Sequence, residues 1–117
     1  MRGQLVITAA GQPLKLHFNA GALYGFCKKE GLNIAQLYST FSDVSFQHIV
    51  SMVLSALEYE CTDTGKQFVY TEADVLKWAD ENEGILQFSA KVADAVAEAI
   101  KPAEIPETGG KKKATKN

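Results

Sequence analysis

Phe46-Gln47-His48-Ile49-Val50-Ser51-Met52-Val53-Leu54-Ser55-Ala56-Leu57 is the stretch that decides the fold. Phe46, Ile49, Val50, Val53, Leu54 and Leu57 recur at i, i+3, i+4, i+7, i+8 and i+11, the period of an α-helix with one wide apolar stripe. A helix patterned in this way has to bury its stripe against other elements. All six side chains are therefore expected inside, at the centre of the core.

Upstream, residues 4–9 and 14–18 have strand character, and Leu14, Leu16 and Phe18 alternate with Lys15 and His17. Gly11, with Pro13 close behind it, favours a turn between the two runs, which makes a β-hairpin. Two strands alone are marginal and need helices against their apolar face. Asn19 is suited to cap a helix over residues 20–30 that ends at Gly31, and Asn33 to cap a shorter one through Ile34, Ala35, Leu37 and Tyr38. Ser42 and Asp43 then interrupt the chain.

Downstream, residues 62–65 read as a break and 68–70 as a short extended link against the body. Thr71 and Asp74 have the spacing of a capping box, although Glu or Gln is the commoner partner, and they open a helix through Val75, Leu76, Trp78 and Ala79 that stops near Glu83-Gly84. A last helix over 85–101 carries Ile85, Phe88, Val92, Val96 and Ile100, with alanines at 90, 93, 95, 97 and 99 that permit close approach. The expected fold is α+β and mainly α, an N-terminal β-hairpin packed on a compact bundle of about four to five helices. Residues 1–101 are expected to form one globular domain and 102–117 a flexible, Lys-rich tail.

Composition narrows the function. The chain has 117 residues, 46% of them hydrophobic and 22% charged, which suits one soluble domain. No apolar run approaches the roughly 18 to 20 residues that span a bilayer, and residues 5–7 are too brief for a signal-peptide core. A cytoplasmic location is expected. Cys27 and Cys61 are far apart, and with His17 and His48 they lack the spacing of a metal site or redox pair, so reduced, structural cysteines and no metal are expected.

The formal charge of −2 conceals an asymmetry, because residues 1–101 hold eight basic and twelve acidic side chains while 102–117 hold four Lys and two Glu. Ten acids between Glu58 and Glu98 face only Lys66, Lys77 and Lys91, a surface that repels nucleic acid. Residues 23–40 have the outline of a DNA-binding helix-turn-helix, yet the would-be recognition helix contains no Lys or Arg. No nucleophile triad, phosphate loop or metal spacing is present; Gly21, Gly25 and Gly31 do not follow a strand in dinucleotide-loop spacing, and the acids read as a solvated helical face. A non-enzymatic protein that needs no cofactor and binds another protein is the expectation.

The succession of elements also resembles a known family. The hairpin is followed by Phe18-Asn19-Ala20-Gly21-Ala22-Leu23-Tyr24-Gly25-Phe26-Cys27-Lys28-Lys29-Glu30-Gly31-Leu32, the helical segment 49–60, and the link Thr71-Glu72-Ala73-Asp74-Val75. A Trp78 helix, the acidic turn Asp80-Glu81-Asn82-Glu83 and a Lys-rich end complete the series. This order resembles the tail assembly chaperones of long-tailed, siphovirus-like bacteriophages and prophages over roughly residues 1–101. The resemblance implies a protein of the host cytoplasm, absent from the mature virion, that binds the tape measure protein, keeps it soluble and assists polymerisation of the tail tube.

It also implies contact with the tail tube protein through an extended product made by ribosomal slippage, for which Gly110, Lys111, Lys112 and Lys113 mark a candidate region. Trp78, Phe88, Val92 and Val96 are candidate partner-binding anchors, beside the alternative that they belong to the protein's own core. No nucleic acid or membrane partner is expected, and a homo-oligomer is compatible with the sequence. A structural or adaptor subunit of the virion tail and, behind it, a helix-turn-helix regulator are the alternative functions.

Overall fold

The computed structural model describes residues 3–42 and 45–100. Of the expected break at Ser42 and Asp43, Ser42 falls within a helix, whereas Asp43, the tail 102–117 and the slippage region Gly110–Lys113 lie outside the described residues. Two strands, β1 (Gln4–Ala9) and β2 (Gln12–His17), precede five helices: α1 (Ala20–Glu30), α2 (Ile34–Ser42), α3 (Phe46–Thr64), α4 (Glu72–Glu81) and α5 (Ile85–Ile100). The α+β, mainly helical architecture is the one the sequence predicts.

The strands pair antiparallel, with Leu5 opposite Leu16 and Ile7 opposite Leu14, so one face of the hairpin is apolar and meets the helices. Ala10 and Gly11 both have positive φ, 54° and 79°, as a two-residue turn of the primed type requires. The second strand thus starts at Gln12, two residues earlier than the alternating pattern indicates. Pro13 is accommodated because it faces Thr8, whose own N–H and C=O point out of the ladder to Asn82. At the open end, the Phe18 N–H donates to the Gly3 carbonyl over 2.7 Å. A Cβ on Gly3 would press on that Phe18 carbonyl and on Ala99 of α5, so only glycine permits the approach, at φ 75°.

Local capping chemistry sets the helix boundaries. The Asn19 carboxamide accepts from the Ala22 N–H, and Asn33 and Gln36 bond each other's backbone N–H reciprocally, both at 2.9 Å. Ser45 caps α3, and Thr71 and Asp74 form the expected box at α4. Gly31 and Gly65 close α1 and α3 in the left-handed conformation.

α3 is the central element and packs on α1, α4, α5 and β2. Ile49, Val50, Val53 and Leu57 are buried as expected, whereas Phe46 and Leu54 are only partly covered. The correction has a physical cause. A helix enclosed on several sides buries more than one stripe, so Met52, Ser55, Ala56 and Cys61 go inside too, and Leu54 is left at the margin. The hairpin's Ile7 and Leu16, the Phe26 of α1, Leu37 of α2, Val75 of α4 and Phe88 of α5 complete a single core.

Candidate interaction surface

The anchors suggested by the sequence are interior. Trp78 is buried on α4, with its ring edge-on to Tyr70 at 5.5 Å between centroids, and Tyr70 packs in the same way on Phe68. The link is thereby tied to the body, as its sequence suggests. Phe88, Val92 and Val96 are brought together as the inner stripe of α5 with no exposed surface. A partner cannot reach these four side chains without opening the fold, which assigns them to the core rather than to a docking face.

What the molecule presents instead is the outer face of α1. Ala22, Leu23, Phe26 and Cys27 fill the inner face, and helical geometry turns Tyr24 outward, where it is 69% exposed. On one side of Tyr24 lies an apolar groove of about 580 Å³, lined by Leu23, Cys27 and Leu32 and closed by Ala99 and Ile100 at the end of α5. Lys28 stands on its rim with the ammonium 5.9 Å from the Tyr24 ring centroid, within cation–π range. Burial pushes the Cys27 thiol above its ordinary pKa.

On the other side of Tyr24 is a hollow of about 400 Å³ between α1 and α3, lined by Gly25, Lys29, Ser55, Glu58 and Tyr59. The Lys29 ammonium lies 3.8 Å from the Glu58 carboxylate across it. The Ser55 hydroxyl is buried and has no hydrogen-bond partner among the described residues.

No known protein family, curated protein or solved structure matches the chain. The surface has to be read from its own chemistry: an apolar floor and a protruding tyrosine, with Lys28 on the rim, in a chain where acids outnumber bases. Among the described residues no helix is long and apolar enough to cross a membrane.

The face at Tyr24 is not among the anchors the sequence suggests, Trp78, Phe88, Val92 and Val96. The usable signal was its position on the helical wheel. With Leu23, Phe26 and Cys27 assigned inward, Tyr24 and Gly25 fall on the opposite face, and neither a tyrosine nor a mid-helix glycine is needed there for a merely solvated surface.

The two glycines of α1 differ in a way that can be measured. A Cβ on Gly25 would meet nothing within 4 Å, whereas one on Gly21 would run into the Tyr59 ring. Gly25→Ala is expected to raise stability by about 1 kcal/mol through helix propensity. Gly21→Ala should gain nothing, because the ring must be displaced. Urea melts of both variants check the order, and equal effects would remove the Gly21–Tyr59 contact from this account.

Proposed function

We propose that the protein is a tail assembly chaperone of long-tailed bacteriophages or prophages, which binds and solubilises the tape measure protein and assists assembly of the tail tube. The observation that carries this reading is the α1 groove with Tyr24 and Lys28 at its edge, taken together with the resemblance of the chain to that family. A long coiled-coil chain displays apolar a and d positions until it is assembled, and uncovered stripes of that kind aggregate. An amphipathic helix from such a partner can lay apolar side chains into the groove and a flanking acid beside Lys28 on its rim. The acids elsewhere on the body keep neighbouring complexes apart. A chain of 117 residues shields only a short length of so long a partner, so many copies bind each one.

Co-expression with the cognate tape measure protein is expected to move that partner from the insoluble to the soluble fraction and to yield a complex at low salt. Tyr24→Asp should abolish both effects while leaving the melting temperature unchanged, since the ring is largely in water. Equal partner solubility with and without the protein, and no complex, would remove the chaperone reading. Detection of the protein in purified virions by mass spectrometry would favour a tail structural or adaptor subunit instead.

A further inference from the structure

The two edges of the hairpin differ. That of β1 is clamped at Thr8 by Asn82 and at the turn by Glu81. Antiparallel strands bond through alternate residues. Because the Phe18 N–H donates to the Gly3 carbonyl and Thr8, opposite Pro13, points out of the ladder, Leu14, Leu16 and Phe18 bond to β1. Lys15 and His17 therefore turn their backbone N–H and C=O groups to the outer side of β2, where no hydrogen bond reaches them among the described residues.

A hollow of about 430 Å³ lies beside this open edge, between β2 and the C-terminal half of α3. Leu14, Leu57 and Tyr70 give it an apolar wall, and Lys15 and Lys66 line it with one acid, Glu60. Neither lysine is in an ion pair among the described residues. Pro13 and Lys15 are residue types that keep exposed edges from joining their own kind. Pairing β2 with β2 of a second copy would bring the lysines of both chains together, and like charges across a sheet destabilise it. The same charges favour a strand that carries carboxylates.

We propose that the open edge of β2 binds an extended acidic segment of another protein as a third, antiparallel strand. Residues directly opposite one another lie on the same face of a sheet. A carboxylate opposite Lys15 thus sits beside its ammonium, and the alternate residues send apolar side chains toward Leu57 and Tyr70. This edge shares no lining residue with the α1 groove and does not depend on the chaperone reading.

The probe is a short, acetylated and amidated peptide of alternating valine and glutamate, titrated into isotope-labelled full-length protein. Before addition, the Lys15 and His17 amides should exchange with solvent about a hundredfold faster than those of Leu14 and Leu16. Saturable shifts of the two edge amides are expected below about 1 mM peptide. A peptide N-methylated on its glutamates, whose N–H groups face the edge, should bind at least about tenfold more weakly, and one N-methylated on its valines should bind as before. Lys15→Gln, which keeps the N–H, is expected to weaken binding about threefold. Lys15→Pro removes an N–H that the ladder does not use and should weaken it at least about tenfold; the methylated peptides decide the matter whether or not that variant folds. Absence of binding at about 1 mM peptide, equal losses from the two methylated peptides, or slow exchange at Lys15 and His17 in the free protein would each overturn the proposal. Protection of these amides that rises with protein concentration in the absence of peptide would give the edge to a second copy and overturn it equally.

Discussion

Phe88→Ala is expected to cost about 3 to 5 kcal/mol of folding stability, the range for truncating a fully buried phenylalanine. Phe88 has 0% exposure, starts the inner stripe of α5 and is continued by Val92 and Val96. Removing the ring leaves a cavity that α5 can close only by shifting against α3 and α4, both of which pack on it. A domain of this size has about 5 to 15 kcal/mol in total, so the variant should be close to its unfolding threshold at 37 °C. Denaturant unfolding gives the number. The same variant separates the two roles the sequence allowed for this residue: a docking anchor would lose binding at unchanged stability, and a loss below about 1 kcal/mol would return Phe88 to the surface.

Asn82→Ala should cost about 2 to 3 kcal/mol, more than a cap residue at a helix end ordinarily contributes. Asn82 is only 7% exposed. Its carboxamide accepts from the Thr8 N–H at 3.0 Å and donates to the Thr8 carbonyl at 2.8 Å and the Trp78 carbonyl at 2.7 Å, so it serves β1 as a short third strand would. Alanine leaves the two partly buried Thr8 groups unpaired. Asn82→Asp gives a sharper result. An ionised carboxylate there would face the Thr8 and Trp78 carbonyl oxygens, which accept and cannot donate, so its folded pKa lies above the unfolded value of about 3.9. The protonated form can still donate. The stability of the Asp variant relative to the native protein should therefore be greatest below about pH 4 and fall as the pH rises through the folded pKa. Parallel melts at low and neutral pH check this, and a pH-independent difference would exclude the carboxamide's donor role.

The elements read well from the sequence where their causes are local. Asn19, Asn33 and Thr71 with Asp74 cap the helices they were expected to cap, because a side chain bonding backbone three residues away needs no tertiary context. Burial was less legible. One stripe was assigned to α3, but the number of neighbours around a helix is a property of the fold, and it is those neighbours that bury Met52 and Ala56 and leave Leu54 half-covered.

The acids of the turn over residues 80–83 are exposed, as the sequence indicates, yet the Glu81 carboxylate also accepts from the Ala10 and Gly11 N–H groups, and Asn82, buried between them, holds Thr8. Nothing in the spacing of residues seventy apart announces such a contact. For the interaction face, the α5 stripe and an outward apolar stripe have the same periodicity, and only packing shows that Phe88 is inside while Leu86, 83% exposed, is outside.

The clamp between the hairpin turn and the end of α4 joins residues separated by 74, 71 and 70 positions. On a ribosome adding about 5 to 20 residues per second, the hairpin is made several seconds before the groups that hold it. During that interval the outer edge of β1 at Thr8 offers an unpaired N–H and C=O, the arrangement through which strands of different chains join. Nascent chains on one polysome are thus most prone to pair wrongly before α4 emerges, and slowing translation within α3 would be expected to lower the yield of native protein without altering the stability of molecules already folded.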